Sequence, residues 1–382
     1  METYDVIVIG AGAAGLMAAA GLAKREKSAV ILDMGRAPAR KVAISGGGKC
    51  NFTNMRADYT HYFGKNPRFA TSALAQFSPR DTLAWARAHG IKYIEKESGR
   101  YFCKNSAMDI VNALLQDIGD IKIKYNTNVS YVEKSDDLFK VITNKGDFFA
   151  KSVIVATGGQ SYPNLGVSLI GRRIAKTFGH DVEKIKPALC GIKTNCFSPE
   201  LAGLSLPVEI EVAGHKIKDS LLFTHVGIGG PAVYRASLLS TNQMIINFVP
   251  GRDAFELLKY KKQRDGKKIV HNAAADFLPA NLARVLCDGF KRNIADLKDT
   301  ELKYIANRMN HRIVMNASAV GFDSAEVTIG GISTDQISSK TMESKLCHGL
   351  YFVGEALDIT GDLGGFNIQW AFSSGFVAGQ NA

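Results

Sequence analysis

The chain opens with Tyr4-Asp5-Val6-Ile7-Val8-Ile9-Gly10-Ala11-Gly12-Ala13-Ala14-Gly15, and this run constrains the fold more than anything after it. A short apolar strand feeds into G-x-G-x-x-G, and Leu16 to Leu22 reads as the helix that follows. The three glycines act differently. Gly10 makes the tight turn, Gly12 lets a pyrophosphate approach the backbone, and Gly15 lets helix and strand pack closely. The helix start, through Ala13 and Ala14, then offers phosphates its unpaired N–H groups and the positive end of its dipole. A second apolar run, Ala29-Val30-Ile31-Leu32, ends at Asp33 and Met34. That acid stands roughly 20 positions after the glycines, where a ribose-binding carboxylate belongs. Strand, glycines, helix, second strand and acid in this order predict a dinucleotide site.

Val6 to Ala23 is almost wholly apolar or glycine, yet a membrane span needs about 20 apolar residues without early breakers. The glycines here mark a change of periodicity, and no basic segment precedes the run. A soluble protein is expected. The six cysteines show no C-x-x-C spacing, which fits a reduced, cytoplasmic compartment. The eight histidines are scattered, with no metal constellation among them. The net charge of +11 is uneven. Residues 35–68 hold seven Lys/Arg and one acid, and residues 251–315 hold 14 Lys/Arg and eight acids. Localised positive charge favours a polyanionic partner, or else marks a solvated helical surface and a loop for the cofactor's own phosphates.

After Asp33 a glycine-rich loop is expected over Lys41 to Asn51, then helices over Ser78 to His89 and Ala107 to Ile118. Ile121 to Tyr125 reads as a further parallel strand. Val129 to Glu133, Phe139 to Thr143 and Phe148 to Ala150 read as a meander, and Val153 to Ala156 as a separate strand into Thr157-Gly158-Gly159. This order resembles the FAD-binding fold of the glutathione-reductase type. Antiparallel strands are expected at Ile192 to Lys193, Val208 to Val212, His215 to Lys218 and Met244 to Phe248, and basic helices at Asp253 to Arg264, Asn281 to Asp288 and Thr300 to Asn310. The expected architecture is an α/β Rossmann FAD-binding domain over 1–189 and 326–382, an inserted β-rich domain over 190–250 and 316–325, and a helical subdomain over 251–315. Lys261, Lys262, Lys267 and Lys268 flank Asp265-Gly266 and are expected to be exposed and to reach phosphates. The glycines near Gly227 and Gly330 lack a strand–helix setting, so no second nucleotide motif is expected.

The closing segment separates a flavin from a nicotinamide as resident cofactor. Leu350 to Val353 is a strand ending in Gly354-Glu355, and Gly364-Gly365-Phe366-Asn367 opens a helix. Such a return sets a helix start beside a flat electron-accepting ring, where it stabilises negative charge on the N1/C2 side of a reduced flavin. Several strings are more specific. Ser45-Gly46-Gly47-Gly48-Lys49-Cys50-Asn51-Phe52-Thr53-Asn54, Ala156-Thr157-Gly158-Gly159-Gln160-Ser161-Tyr162-Pro163, Phe223-Thr224-His225, Val327-Thr328-Ile329-Gly330-Gly331-Ile332 and Asn367-Ile368-Gln369-Trp370-Ala371-Phe372-Ser373-Ser374-Gly375 resemble the YhiN/BaiN family of bacterial flavoproteins over essentially the whole chain. The resemblance implies FAD and oxidoreductase chemistry, and since no histidine or cysteine lies in an obvious flavin-attachment string, the FAD is expected to be non-covalent. Family members are associated with reduction of carbon–carbon double bonds, including a uridine of 23S ribosomal RNA and enone steroids, and with oxidation of small amines such as aminoacetone. Beyond the N-terminal fingerprint, the residues expected on the cofactor are Lys41, Ser45, Gly46, Gly47, Lys49, Cys50, Asn51, Val129, Thr157, Gly158, Gly159, Gly354, Glu355, Gly364, Gly365, Asn367 and Ile368. Two departures bear on the substrate. The family's G-S-x-G-D-G segment is Gly166-Val167-Ser168-Leu169-Ile170-Gly171 here, without the acid, and its S-G-P is Gly229-Gly230-Pro231.

Candidate proton donors are Cys50, in the glycine loop, and His225, since histidine is the side chain that most readily exchanges a proton near neutrality. Each has a plainer reading, as a packed thiol and as a structural histidine at a domain junction. Lys49 is expected to neutralise an oxyanion or bind phosphate. NAD(P)H is expected as a transient reductant, because no separate nucleotide domain is visible. The favoured activity is reduction of a uridine in ribosomal RNA or its precursor. A small-molecule amine oxidase or enone reductase, and a non-catalytic FAD-holding RNA-binding factor, are the alternatives.

Overall fold

The structure, a computed structural model, describes residues 3–382. The chain forms two compact units, one running to Pro187 and resuming over Ala325–Ala382, the other Ala188–Ser324.

Among the described residues the first unit is built on a seven-stranded sheet. Its strands are β1 (Thr3–Ile9), β2 (Ala29–Leu32), β3 (Lys122–Lys124), β4 (Val129–Ser135), β5 (Leu138–Thr143), β6 (Gly146–Val155) and β7 (Leu350–Phe352). They run in the order β3-β2-β1-β6-β5-β4, with β7 also on β6. The central strands are parallel, pairing Val8 with Ile31 and Ile154. Their Val/Ile runs are buried on both faces, as a parallel core requires. The expected break between Phe148–Ala150 and Val153–Ala156 does not exist. β6 is one strand, antiparallel to β5 over Gly146–Ala150 and parallel to β7 from Val153. The polar Lys151 that suggests a break lies at the exposed face, its Nζ 2.9 Å from Asp5 Oδ1. The expected loop at Lys41 begins instead as a helix over Arg40–Gly48, broken at Ser45, Gly46 and Gly47, where the backbone leaves helical angles.

Helix α1 (Ala13–Lys24) and the closing helix α2 (Phe366–Asn381) are packed together through small residues. A Cβ on Gly375 would lie 2.3 Å from Ala14 O, and one on Gly379 2.3 Å from Ala18 O. Glycines one turn apart therefore let the two backbones touch. Among the described residues no helix is long and apolar enough to cross a membrane.

The second unit carries, among the described residues, a seven-stranded sheet whose pairings are antiparallel. Ser205–Val212 shows the half-buried alternation, with Leu206, Val208, Ile210 and Val212 inward. The helices of 251–315 do not form a separate core. Leu258, Leu282 and Ile305 share one cluster with Ile210, Phe223 and Ile246 of the sheet. Contrary to expectation, Gly227–Gly229 is a strand that leads into the helix Pro231–Leu239. Its glycines serve packing, since a Cβ on Gly230 (φ +85°) would meet Leu222 N and Ser220 O at 2.9 Å. The lysines at Asp265-Gly266 also differ from expectation. Lys261 pairs with Asp265 at 3.1 Å and with Asp276, and Lys268 lies 3.3 Å from Asp276. Lys262 is half-buried and donates to Leu297 O at 2.5 Å. Lys267 is exposed.

Candidate functional site

The three fingerprint glycines meet different surroundings. A Cβ on Gly10 would be 2.5 Å from Ala156 O, and one on Gly15 1.9 Å from Gly10 O, so both serve close backbone packing. No atom lies within 4 Å of a Cβ built on Gly12. Gly12 is the N-cap of α1, whose first turn has no side-chain cap and no acid. An open space in front of uncapped N–H groups suits a diphosphate, and the residues present fit that part of FAD. Asp33 stands beside it and is buried. Its Oδ2 accepts from Ala11 N and its Oδ1 from Gly35 N, both at 2.7 Å. Thr127 N donates to Asp33 O and Asn126 N to Gly35 O, each at 2.9 Å, which brings the chain leading to Val129 alongside Met34.

Arg40 is a site residue that sequence reasoning misses. Its guanidinium is 3.5 Å from Asp33, and a Cβ on Gly35 or Gly166 would sit 2.3 or 2.9 Å from it. Arg172 is a second such residue. It lines a shallow cleft with Thr157, Gly158, Gly159, Gln160 and Glu355, and burial lowers its proton affinity. Composition flags both as positive charges, but only the tertiary fold shows what each faces.

One wall of that cleft is tied together by hydrogen bonds. Lys41 Nζ donates to Glu355 Oε2 at 2.6 Å, Thr328 N to Glu355 Oε1 at 2.8 Å, and Gln160 N to Thr328 Oγ1 at 2.7 Å. A side chain on Gly159 would strike Glu355 Oε1 and Thr328 Oγ1, each at 2.5 Å. Glu355 therefore braces the wall. α2 fixes the turn before it, because Trp370 Nε1 donates to Gly354 O and Gly354 N to Ser374 Oγ, both at 3.0 Å. At the start of α2, Gly364 and Gly365 hold φ of +124° and +97°. A Cβ on Gly365 would lie 2.5 Å from Thr53 O. With its amide oriented to match its neighbours, Asn51 accepts from Gly365 N and donates to Tyr101 O, both at 3.2 Å. Asn367 is bound to the Gly361 backbone, accepting from its N at 2.8 Å and donating to its O at 2.9 Å, and Ile368 is half-buried. Gly46 and Gly47 are exposed, and Ser45 Oγ donates to Val42 O at 2.8 Å.

The proton donors fare differently. Cys50 has 0 % of its surface exposed, and burial pushes its thiol up to about 12. A thiol sealed in the core has no route for delivering a proton to a bound substrate, and it packs as a small apolar residue. Lys49 is turned to nearby backbone, donating to Lys104 O at 3.2 Å and Asn105 O at 2.5 Å, which occupies two of its three N–H donors. His225 lies in the second unit, exposed in the turn between the strands His215–Thr224 and Gly227–Gly229.

The chain is similar to a Haemophilus influenzae protein described as a ribosomal RNA dihydrouridine synthase, 39% identical over 99% of this chain and 98% of that one. An Escherichia coli protein of the same description is 34% identical over 100% of this chain and 98% of its own. A Clostridium scindens protein described as a 3-dehydro-bile acid delta(4,6)-reductase is 28% identical over 98% of each chain. The family described as HI0933-like protein Rossmann domain matches residues 4–381, and the chain is a member of that family of FAD-dependent oxidoreductases.

Proposed function

We propose that this flavoenzyme reduces the C5=C6 bond of a uridine in large-subunit ribosomal RNA, giving dihydrouridine, with NADH or NADPH as the hydride source. The observation that carries the reading is the 39% identity, over nearly the full length of both chains, to a protein described as a ribosomal RNA dihydrouridine synthase. A cytoplasmic location follows from it.

When bound, FAD supplies two-electron hydride chemistry. The chain's own residues do the rest. The uncapped start of α1 and the open space at Gly12 would hold the diphosphate, with Asp33 and Arg40 as the charged residues beside it. Lys41, Glu355 and Thr328 keep the adjoining wall rigid, so that bound groups are oriented without reorganisation at the moment of reaction. The start of α2 at Gly365 has no side-chain cap and so presents positive potential to anionic character next to it. Protonation of the reduced carbon needs an acid that meets solvent or substrate. Cys50, sealed in the core, does not meet that condition, whereas His225, exposed in its turn, does.

A second reading, reduction of a small enone, is favoured by the similarity to the bile acid delta(4,6)-reductase. Both reactions add hydride and proton to a double bond conjugated with a carbonyl. Neither the geometry nor the relatives adds support to amine oxidation or to a non-catalytic role. The test is nucleoside mass spectrometry of ribosomal RNA from cells with and without this protein. Dihydrouridine should disappear without it, return with the wild type and stay absent with Gly12→Val. Unchanged dihydrouridine would remove the RNA reading and leave the enone reductase.

A further inference from the structure

The positive charge of 251–315 is of two kinds. Lys261, Lys262, Lys268 and Arg292 are matched within the unit by Asp265, Asp276, Asp299 and Glu301. A phosphate arriving at these lysines would have to displace a carboxylate and then sit beside it. Lys259 and Lys303 are different. They come from two adjacent helices, Ala254–Arg264 and Asp299–Asn310, and hold their ammonium groups over the same ring, Phe255, at 5.5 and 5.4 Å from its centroid. Among the described residues neither has a carboxylate partner. Next to Lys303, Tyr304 is 58% exposed, with the Arg308 guanidinium 6.0 Å from its ring centroid. Arg308 is itself fixed by donating to Asp288 O and Val285 O at 3.0 Å each. Lys303, Tyr304, Asn307 and Arg308 follow one another at helical spacing, so this stretch of helix carries two cations and an exposed ring that leans on Phe290 at 6.0 Å, while Asp299 and Glu301 one turn earlier are paired with Lys262 and Arg292.

We infer that this stretch, together with Lys259, docks single-stranded RNA, with Lys259 and Lys303 on phosphates and the Tyr304 ring under a base. The inference rests on the RNA reading above and names the surface that serves it. Cations held over a ring keep their charge and lose rotamer freedom before the ligand arrives. An exposed aromatic ring flanked by cations without carboxylate partners is the pairing that single-stranded nucleic acid takes, since each nucleotide offers both an anion and a π-face.

The test uses the full-length FAD-bound protein and two probes, a labelled single-stranded U20 oligoribonucleotide and protein-free ribosomal RNA. Affinity is measured against salt. Lys259→Gln with Lys303→Gln should lower the slope of log K against log salt by roughly 0.7 for each phosphate no longer neutralised. Tyr304→Ala should weaken binding roughly 5- to 150-fold with the slope unchanged, and Tyr304→Phe should restore it. Lys261→Gln with Lys268→Gln should leave affinity within about twofold. Flavin absorbance and NADPH consumption should be the same in all variants, which shows that each is folded. Wild-type binding by the Lys259/Lys303 and Tyr304→Ala variants would overturn this face as the docking surface. Absence of salt-dependent binding by the wild type to either probe would overturn the RNA reading as well.

Discussion

The two units place their candidate functional surfaces on different parts of the chain. In the first, the site is made mostly of backbone. Glycines let strands, turns and helices approach to distances that a Cβ would forbid, and the cofactor strip is the space left open at Gly12. In the second, the backbone closes a conventional antiparallel core, and the candidate surface consists of long side chains laid on helices. A backbone site fails all at once when one atom is added. A side-chain surface loses affinity in steps. The difference teaches where single substitutions should be decisive and where only combinations should matter.

The largest effect should come from comparing two fingerprint glycines. Gly15→Val drives a side chain onto Gly10 O and should yield no folded protein. A Cβ on Gly12 meets no protein atom within 4 Å, so Gly12→Val should fold with an apo melting temperature near that of the wild type, yet bind no FAD. The ratio of flavin to protein absorbance and a thermal melt read both outcomes. FAD retained by Gly12→Val would show that the open space is not the diphosphate seat.

Trp370→Phe deletes one of the two donors to Gly354 O, leaving only Leu357 N at 3.2 Å, and opens a small void where the buried indole packed. A loss of about 1–3 kcal/mol in denaturant unfolding is expected. Lys41→Met removes the pair with Glu355, and because both groups are partly solvated the FAD dissociation constant should rise only about fivefold. A change of a hundredfold would mean that Lys41 touches the cofactor itself.

The smallest signal at neutral pH concerns thiols. Cys50 and Cys103 are both raised to about 12 by burial, so the folded protein should resist alkylation at pH 8 at these positions while half-buried Cys196 and Cys347 react first. The same shift has a consequence for stability. An unfolded thiol ionises near pH 9 and the folded one near 12, so the stability these protonated thiols retain is complete below pH 9 and falls as pH rises towards 12. Peptide mapping after alkylation and an alkaline unfolding curve check the two halves. Rapid labelling of Cys50 in folded protein would reopen it as a proton donor.

What is legible in the sequence follows the same division. Strand β1, the glycine turn and α1 depend on neighbours in sequence, and so do the Gly354-Glu355 turn and the start of α2, so local patterning suffices for them. Arg40 escapes a reading of the sequence because its surroundings, Asp33, Gly35 and Gly166, come together only in the folded unit. Cys50 looks accessible in the sequence because glycines precede it, but the chain turns at Gly46–Gly48 and carries it into the core. The single strand Gly146–Val155 reads as two because Lys151 and Ser152 interrupt its apolar run, although its pairing with β1 passes through Ser152 unbroken. Lys261 and Lys268 look free because their shared partner, Asp276, lies beyond the turn at Asp265-Gly266.

The most direct test of the uridine reduction is reconstitution. The FAD-bound protein, NADPH or NADH, and ribosomal RNA from cells lacking the protein should give one dihydrouridine for each nicotinamide oxidised beyond the RNA-free background. Gly12→Val should give none. Nicotinamide oxidation that an enone accelerates, with the ribosomal RNA unchanged by mass spectrometry, would contradict the account.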